Sequence, residues 1–231
     1  DQWIRCSKAL NEWNIILTYT LTNRDKYGLL LTDCAWKAGD WNLMKQSLLR
    51  TEQVLSKQFN SRVSLYGGYV SLLTQRDNAA AIGKYIELSS NASLQEWRNL
   101  PQIVSNIHIP ILQMAQQIME LQEAGQIHQD LLRKHSLPFH DMKSIIKTWR
   151  NRLPIISDDL SYWRDIFTWR QYHYKMIADS ATGNNSIVAN LGSQASAQTF
   201  IKLGKIARKH NLINLSQKTL QDMESVNSVP L

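Results

Sequence analysis

Apolar residues recur at three- and four-residue spacing from one end of this 231-residue chain to the other, and no Asn-Gly or Asp-Gly pair marks a two-residue hairpin. That pattern restricts the chain to helices, because a half-buried strand needs alternation with a period of two. Pro154 divides the clearest stretch. It lacks an amide proton and its ring clashes with the preceding turn, so the helix carrying Met142, Ile145, Ile146 and Trp149 stops before it. Ser157, Asp158 and Asp159 are placed to cap the free N–H groups of the next helix. That helix presents Leu160, Trp163, Ile166, Phe167 and Tyr174 as one stripe, with Arg164, Asp165, Arg170 and Lys175 on other faces. The stripe is expected to pack, and the remainder to meet solvent or a partner.

Further helix pairs follow from the same logic. Residues 3–10 and 13–19 read as helices joined at Asn11 and Glu12. Leu31, Ala35 and Ala38 form a stripe, Gly39 takes the left-handed cap, and Asp40 starts the helix of Trp41, Met44, Leu48 and Leu55. Near the end of the chain Ala207, Arg208 and Lys209 lead into a turn at His210 and Asn211, followed by Leu212 and Leu215. The run AWKAGDW from Ala35 partly resembles a tetratricopeptide turn, without the leucine before the glycine. Because the connections differ in length, the expected architecture is an all-α, irregular TPR/HEAT-like helical-repeat solenoid.

Between these ends, Ser93 and Glu96 read as a capping box before a short helix. Pro101 and Pro110 punctuate the path to a helix over 111–124, with Ile111, Met114, Ala115, Ile118 and Leu121 inward and Gln113, Gln116, Gln117 and Glu120 outward. Residues 128–140 read as a connector containing Pro138. Gly183, Asn184, Asn185, Asn190 and Gly192 mark a flexible loop over about 179–193.

A hydrophobic content of 43% supports a continuous core, to which the eight tryptophans contribute large buried areas. No leading methionine, signal segment or long apolar run is present, so the sequence suggests neither secretion nor membrane spanning and reads as an internal fragment. Cys6 and Cys34 lie on helical segments, which fits a reducing compartment better than a disulfide framework.

Catalytic chemistry finds little footing. No GxxxxGK[ST] loop, HExxH helix, paired CxxC or kinase catalytic-loop motif occurs. His128, His135 and His140 span a connector and read as ordinary histidines rather than metal ligands. Asp33, Asp40 and Glu52 fit helix surfaces or caps. The expectation is no enzyme activity, no cofactor and no metal.

What remains is charge. The formal net charge is +7, and residues 131–175 hold nine Lys or Arg against four Asp or Glu. Lys143, Lys147 and Arg150 are spaced to share one helical face, which Arg152 extends. Acidic, disordered protein segments fit such a face through charge steering and shallow apolar grooves. Nucleic acid is the rival ligand, but no base-reading motif accompanies the charges.

The run from Met142 to Trp169, WIRCSKALNEW from Trp3, EWRNLPQIVSNIHIPILQMAQQIMELQEAGQI from Glu96 and GKIARKHNLIN from Gly204 together cover much of the chain. In these segments it resembles the FAT region of the catalytically inactive, TRRAP-like branch of the phosphatidylinositol-kinase-like family. The resemblance implies that residues 1–231 are a fragment of one FAT region. It further implies a nuclear, non-catalytic scaffold linking DNA-bound activators with acidic segments, Myc-type factors among them, to histone acetyltransferase complexes. Acetyltransferase-complex subunits and the rest of the parent protein would be its other partners. Two alternatives stay open: the regulatory FAT solenoid of an active kinase relative, and a nucleic-acid-binding helical repeat.

Overall fold

A computed structural model describes residues 2–10, 12–54, 60–74, 79–132, 139–156, 158–180 and 186–226. Among these residues there are eleven α-helices, one 3-10 turn at Asn106–His108 and no strand. They group into two compact units, Asp1–Gln129 and Asp130–Leu231.

The first unit contains α1 (Gln2–Ala9), α2 (Trp13–Thr22), α3 (Gly28–Ala38), α4 (Trp41–Val54), α5 (Ser61–Thr74), α6 (Ala79–Arg98) and most of α7 (Ile109–Leu132). From α1 to α6 each helix packs on its neighbour in chain order, the arrangement of an irregular helical repeat. The turn between α3 and α4 forms as its residues dictate. Gly39 adopts φ 77°, its N–H donates to the Trp36 carbonyl at 3.1 Å, and the Asp40 N–H donates to the Ala35 carbonyl at 3.0 Å. Asp40 Oδ1 then accepts the Leu43 N–H at 2.9 Å and caps α4. Leu31 and Ala35 are buried as expected, whereas Ala38 is exposed.

Asp33 is not a surface residue. It is buried between α3 and α5, where Tyr66 Oη donates to its carboxylate and Arg62 Nε stands 3.6 Å away. Trp36 Nε1 donates to the same Tyr66 hydroxyl at 3.1 Å. The helix pattern placed Asp33 correctly in sequence, but only the approach of α5 supplies the donors that let a carboxylate stay inside.

Ser93 and Glu96 do not cap a helix start. Both lie within the continuous α6, Ser93 is buried, and the Glu96 carboxylate accepts the Ser61 N–H and hydroxyl at 3.1 and 2.8 Å. With Asn60 Oδ1 accepting from the Arg62 and Val63 N–H groups, α5 is capped by one residue before it and another from α6. Helix α7 starts earlier and ends later than expected, with Pro110 tolerated in its first turn, where no intrahelical donor is required. Ile118, Leu121, Ala124 and Ile127 are buried in it; Ala115 is exposed, and Glu120 is buried with Gln116 Nε2 donating to it at 3.1 Å.

The second unit contains α8 (Phe139–Asn151), α9 (Leu160–Ser180), α10 (Ser186–Lys209) and α11 (Ile213–Val226). Leu160, Trp163, Ile166 and Phe167 of α9 form its core with Leu203, Ile206 and Ala207 of α10, flanked by Leu153, Leu212 and Leu215. The α10–α11 turn carries Asn211 at φ 59°, a conformation that asparagine tolerates better than most side chains. The expected loop over 179–193 is helical at both ends, because α9 continues through Ser180 and Asn190 and Gly192 lie inside α10. Residues 181–185 lie outside the described residues, as do 133–138 of the expected connector. The rest of that connector is helical: His128 belongs to α7 and His140 to the first turn of α8.

Candidate protein interface

Helix α8 sorts its residues cleanly. Met142, Ile146 and Trp149 are buried, while Lys143, Lys147 and Arg150 are exposed along a flanking face. Trp149 anchors the helix against α9, with ring centroids 5.7 Å from His173 and 5.9 Å from Tyr174. Arg150 also stands in the last turn, where a cation complements the helix dipole. The face can therefore present three long cations to an acidic surface. Arg152 does not extend it. That residue lies beyond the helix, half-buried, and its carbonyl accepts Arg170 Nη2 at 2.8 Å.

The Pro154 break holds, and residues 152–156 lie outside any helix before α9 begins at Leu160. Asp159 Oδ1 accepts the Ser161 N–H at 2.8 Å, which is the capping role read from sequence. Asp158 instead closes a turn, its Oδ2 accepting the Ile155 N–H at 2.9 Å; Ser157 lies outside the described residues.

The polar residues of α9 are placed differently from expectation. Leu160, Trp163, Ile166, Phe167 and Tyr174 are all buried, but so are Asp165 and Arg170, and Lys175 alone of the four charged residues is exposed. Burial pulls the Arg164 guanidinium below its ordinary range, while the nearby Asp165 and Asp222 carboxylates pull it back. A helix packed from several sides has little free face for its charges. The signal was present for Arg170, which follows Trp163 by seven residues and so sits in the register of the apolar stripe.

Among the described residues no cluster of three or more His, Cys, Asp or Glu side chains is arranged to hold a metal ion, and none of the helices is long and apolar enough to cross a membrane. His128 is buried in α7, His135 lies outside the described residues, and so does the side chain of His140. Cys34 is buried, and desolvation followed by the neighbouring Asp33 charge pushes its thiol up to about 12, which keeps it protonated and unreactive near neutrality.

Comparison with known proteins accounts for the arrangement of helices. The FAT domain family matches residues 29–230. The chain is 50% identical to the transcription-associated protein 1 of Drosophila melanogaster over its whole length, spanning 6% of that relative. It is 40% identical to the human transformation/transcription domain-associated protein, again over its whole length and 6% of the relative. Over 92% of the chain it is 26% identical to the SAGA complex/NuA4 acetyltransferase complex subunit TRA1 of Saccharomyces cerevisiae, spanning 6% of that protein.

Proposed function

The chain belongs to the FAT domain family, and from that membership we propose that it is part of a non-catalytic scaffold in a transcription coactivator. The scaffold brings histone acetyltransferase complexes to DNA-bound activators in the nucleus. The observation that carries this reading is the similarity along the full chain to proteins named as transcription-associated, joined by one named as a subunit of the SAGA and NuA4 acetyltransferase complexes.

The mechanism is recruitment. A helical repeat offers extended surface without a reaction centre, and holding an acetyltransferase near chromatin raises its effective concentration there. In this reading Lys143, Lys147 and Arg150 receive acidic activation segments, including those of Myc-type factors. Charged side chains steer such encounters and make them sensitive to salt.

The test uses the parent protein carrying this segment, isolated from nuclear extract. Histone acetyltransferase activity should co-purify with it; a preparation of intact protein without that activity would end the coactivator reading. Reversing Lys143, Lys147 and Arg150 to Glu should reduce capture of an acidic activation segment at least about tenfold, the loss of a few charge-assisted contacts. Undiminished capture by the reversed protein would remove α8 from the docking role while leaving the scaffold reading intact.

A further inference from the structure

Acidic residues are missing from a long stretch of the second unit. Residues 180–221 contain five Lys or Arg and no Asp or Glu, although the whole chain holds 19 of the latter. Four of the five cations lie on α10, and three of them, Lys202, Lys205 and Lys209, are exposed together with Gln194 and Gln198. At about 100° per residue these five side chains fall within a sector of about 80°, one stripe along the helix, and Lys202 to Lys209 spans about 10 Å of its axis. Other sides of α10 are occupied. Gly192 approaches the α9 backbone, Leu203, Ile206 and Ala207 pack with the α9 stripe, and the Gly204 carbonyl accepts the Ser216 hydroxyl of α11 at 2.9 Å.

Carboxylates on the elements around α10 are engaged elsewhere or stand at a distance. Asp165 of α9 and Asp222 of α11 act on the Arg164 guanidinium. Asp158 and Asp159, toward the His210 end, accept the Ile155 and Ser161 N–H groups. Asp179 follows Ala178, which lies level with Gly192, about 15 Å along the helix from Lys202. Asp141 is in the first turn of α8, the end away from the Arg152 carbonyl that Arg170 binds. Among the described residues no carboxylate pairs with Lys202, Lys205 or Lys209. Lys202 instead stands near another cation: partial desolvation, and then the charge of buried Arg170, pull its ammonium below the ordinary range. An anion seated over Lys202 relieves that repulsion.

We propose that the α10 stripe of Lys202, Lys205 and Lys209, with Gln194 and Gln198, binds the phosphate backbone of duplex DNA without reading its sequence. The ammonium groups neutralise phosphates, and the side-chain amides donate to phosphate oxygens along the same line. Other polyanions fit the stripe less well. An amphipathic acidic peptide needs apolar side chains to cover, and from Gln194 to Lys209 every exposed residue of α10 is polar or charged. A single strand needs aromatic faces for its bases, and this sector carries none. DNA rather than RNA is the duplex because the coactivator reading sets the chain beside chromatin, and to that extent the proposal rests on that reading.

The full 231-residue chain can be titrated into a short fluorescein-labelled DNA duplex at several salt concentrations, with anisotropy as the readout. Binding should saturate, and affinity should fall with salt at a log–log slope of about −2 to −3, roughly 0.9 for each of three phosphates. A duplex of scrambled sequence should bind within about twofold. Replacing Lys202, Lys205 and Lys209 together by Ala should weaken binding about tenfold or more at low salt and flatten the slope by about 2. Gln194→Ala with Gln198→Ala should weaken it by a smaller factor and leave the slope unchanged, since no charge is lost. Removing the same charge from α8, with Lys143, Lys147 and Arg150 all changed to Ala, should alter affinity less than about threefold. The altered side chains are solvent-exposed, so far-ultraviolet circular dichroism should stay at the parent value. A folded lysine variant with parental affinity and slope, an equal loss in the α8 variant, or no binding by the folded chain at low salt would overturn the proposal. So would tighter binding of an RNA duplex or a single strand of the same length, or displacement of the duplex by an acidic Leu/Phe peptide at lower concentration than by unlabelled duplex. None of these outcomes bears on co-purification of acetyltransferase activity, so failure here leaves the coactivator reading standing.

Discussion

Arg170 is 1% exposed, although taking a guanidinium out of water costs several kcal/mol unless it is hydrogen-bonded and paired. Its Nη2 bond to the Arg152 carbonyl satisfies a backbone acceptor beyond the end of α8, so one buried cation helps fix the path of the chain past Pro154. A similar economy holds at Tyr66, whose hydroxyl accepts from Trp36 Nε1 and donates to Asp33. Tyr66→Phe removes both bonds from a buried site and should lower unfolding stability by about 1–3 kcal/mol in urea titration. Arg62 is half-exposed beside the same carboxylate, so Arg62→Ala should cost less than about 1 kcal/mol. An equal loss in the two variants would contradict the role assigned to the hydroxyl. Cys34 supplies a pH test. Its folded pKa, pushed up to about 12 first by burial and then by Asp33, exceeds the ordinary 9.0. Stability from the protonated thiol is therefore fully present below the unfolded value and declines as pH rises through the folded one. Urea midpoints taken from about pH 8 to about pH 11 should fall more steeply in the parent than in Cys34→Ala. At the lower end of that range, alkylation of native protein should modify the exposed Cys6 and spare Cys34 until the chain unfolds.

Helices α8 and α9 show how differently two adjacent elements use aromatic and basic residues. In α8 the apolar stripe is narrow, so Lys143, Lys147 and Arg150 reach solvent; in α9 neighbours cover most of the circumference, and Asp165 and Arg170 are enclosed. Glycine marks the tightest approaches between elements. In α10 a Cβ added at Gly192 would stand 2.8 Å from the Tyr174 carbonyl oxygen and 3.0 Å from the Ala178 nitrogen, both backbone atoms of α9. Gly192→Ala gains about 1 kcal/mol of helix propensity yet should be destabilising overall by about 1–3 kcal/mol, because backbone cannot yield as a side chain can. Thermal denaturation followed at 222 nm is the check, and a raised midpoint would mean that the two helices do not approach so closely. Read in sequence, this glycine looked like loop punctuation. Helix interior and loop differ there only by the presence of α9.

Nearest-neighbour packing governs each run of helices by itself, α1 to α6 in the first unit and α9 to α11 in the second. Removing α11 should uncover Leu203, Ile206 and Ala207, which Leu212 and Leu215 help to cover. Hydrogen exchange in a chain ending before Leu212 should then be accelerated at least about tenfold in α9 and α10, while α2 to α5 keep their protection. Loss of protection in both units alike would show that the chain unfolds as one block. Much of this architecture was already legible in the residues. Helical periodicity, Pro154, the Gly39 and Asp40 turn, the Asn211 turn and the α9 stripe all act over a few residues, where backbone sterics and local hydrogen bonds decide the outcome. The exposed face of Lys143, Lys147 and Arg150 was legible for the same reason, being a matter of spacing within one helix. Tertiary structure decided the rest: that Glu96 caps α5 rather than its own helix, that Asp33 and Arg170 lie inside, that Gly192 is a contact, and that His210 meets the Ile156 carbonyl. Each depends on a partner far along the chain, and a periodic pattern specifies which face is apolar without specifying what will cover it.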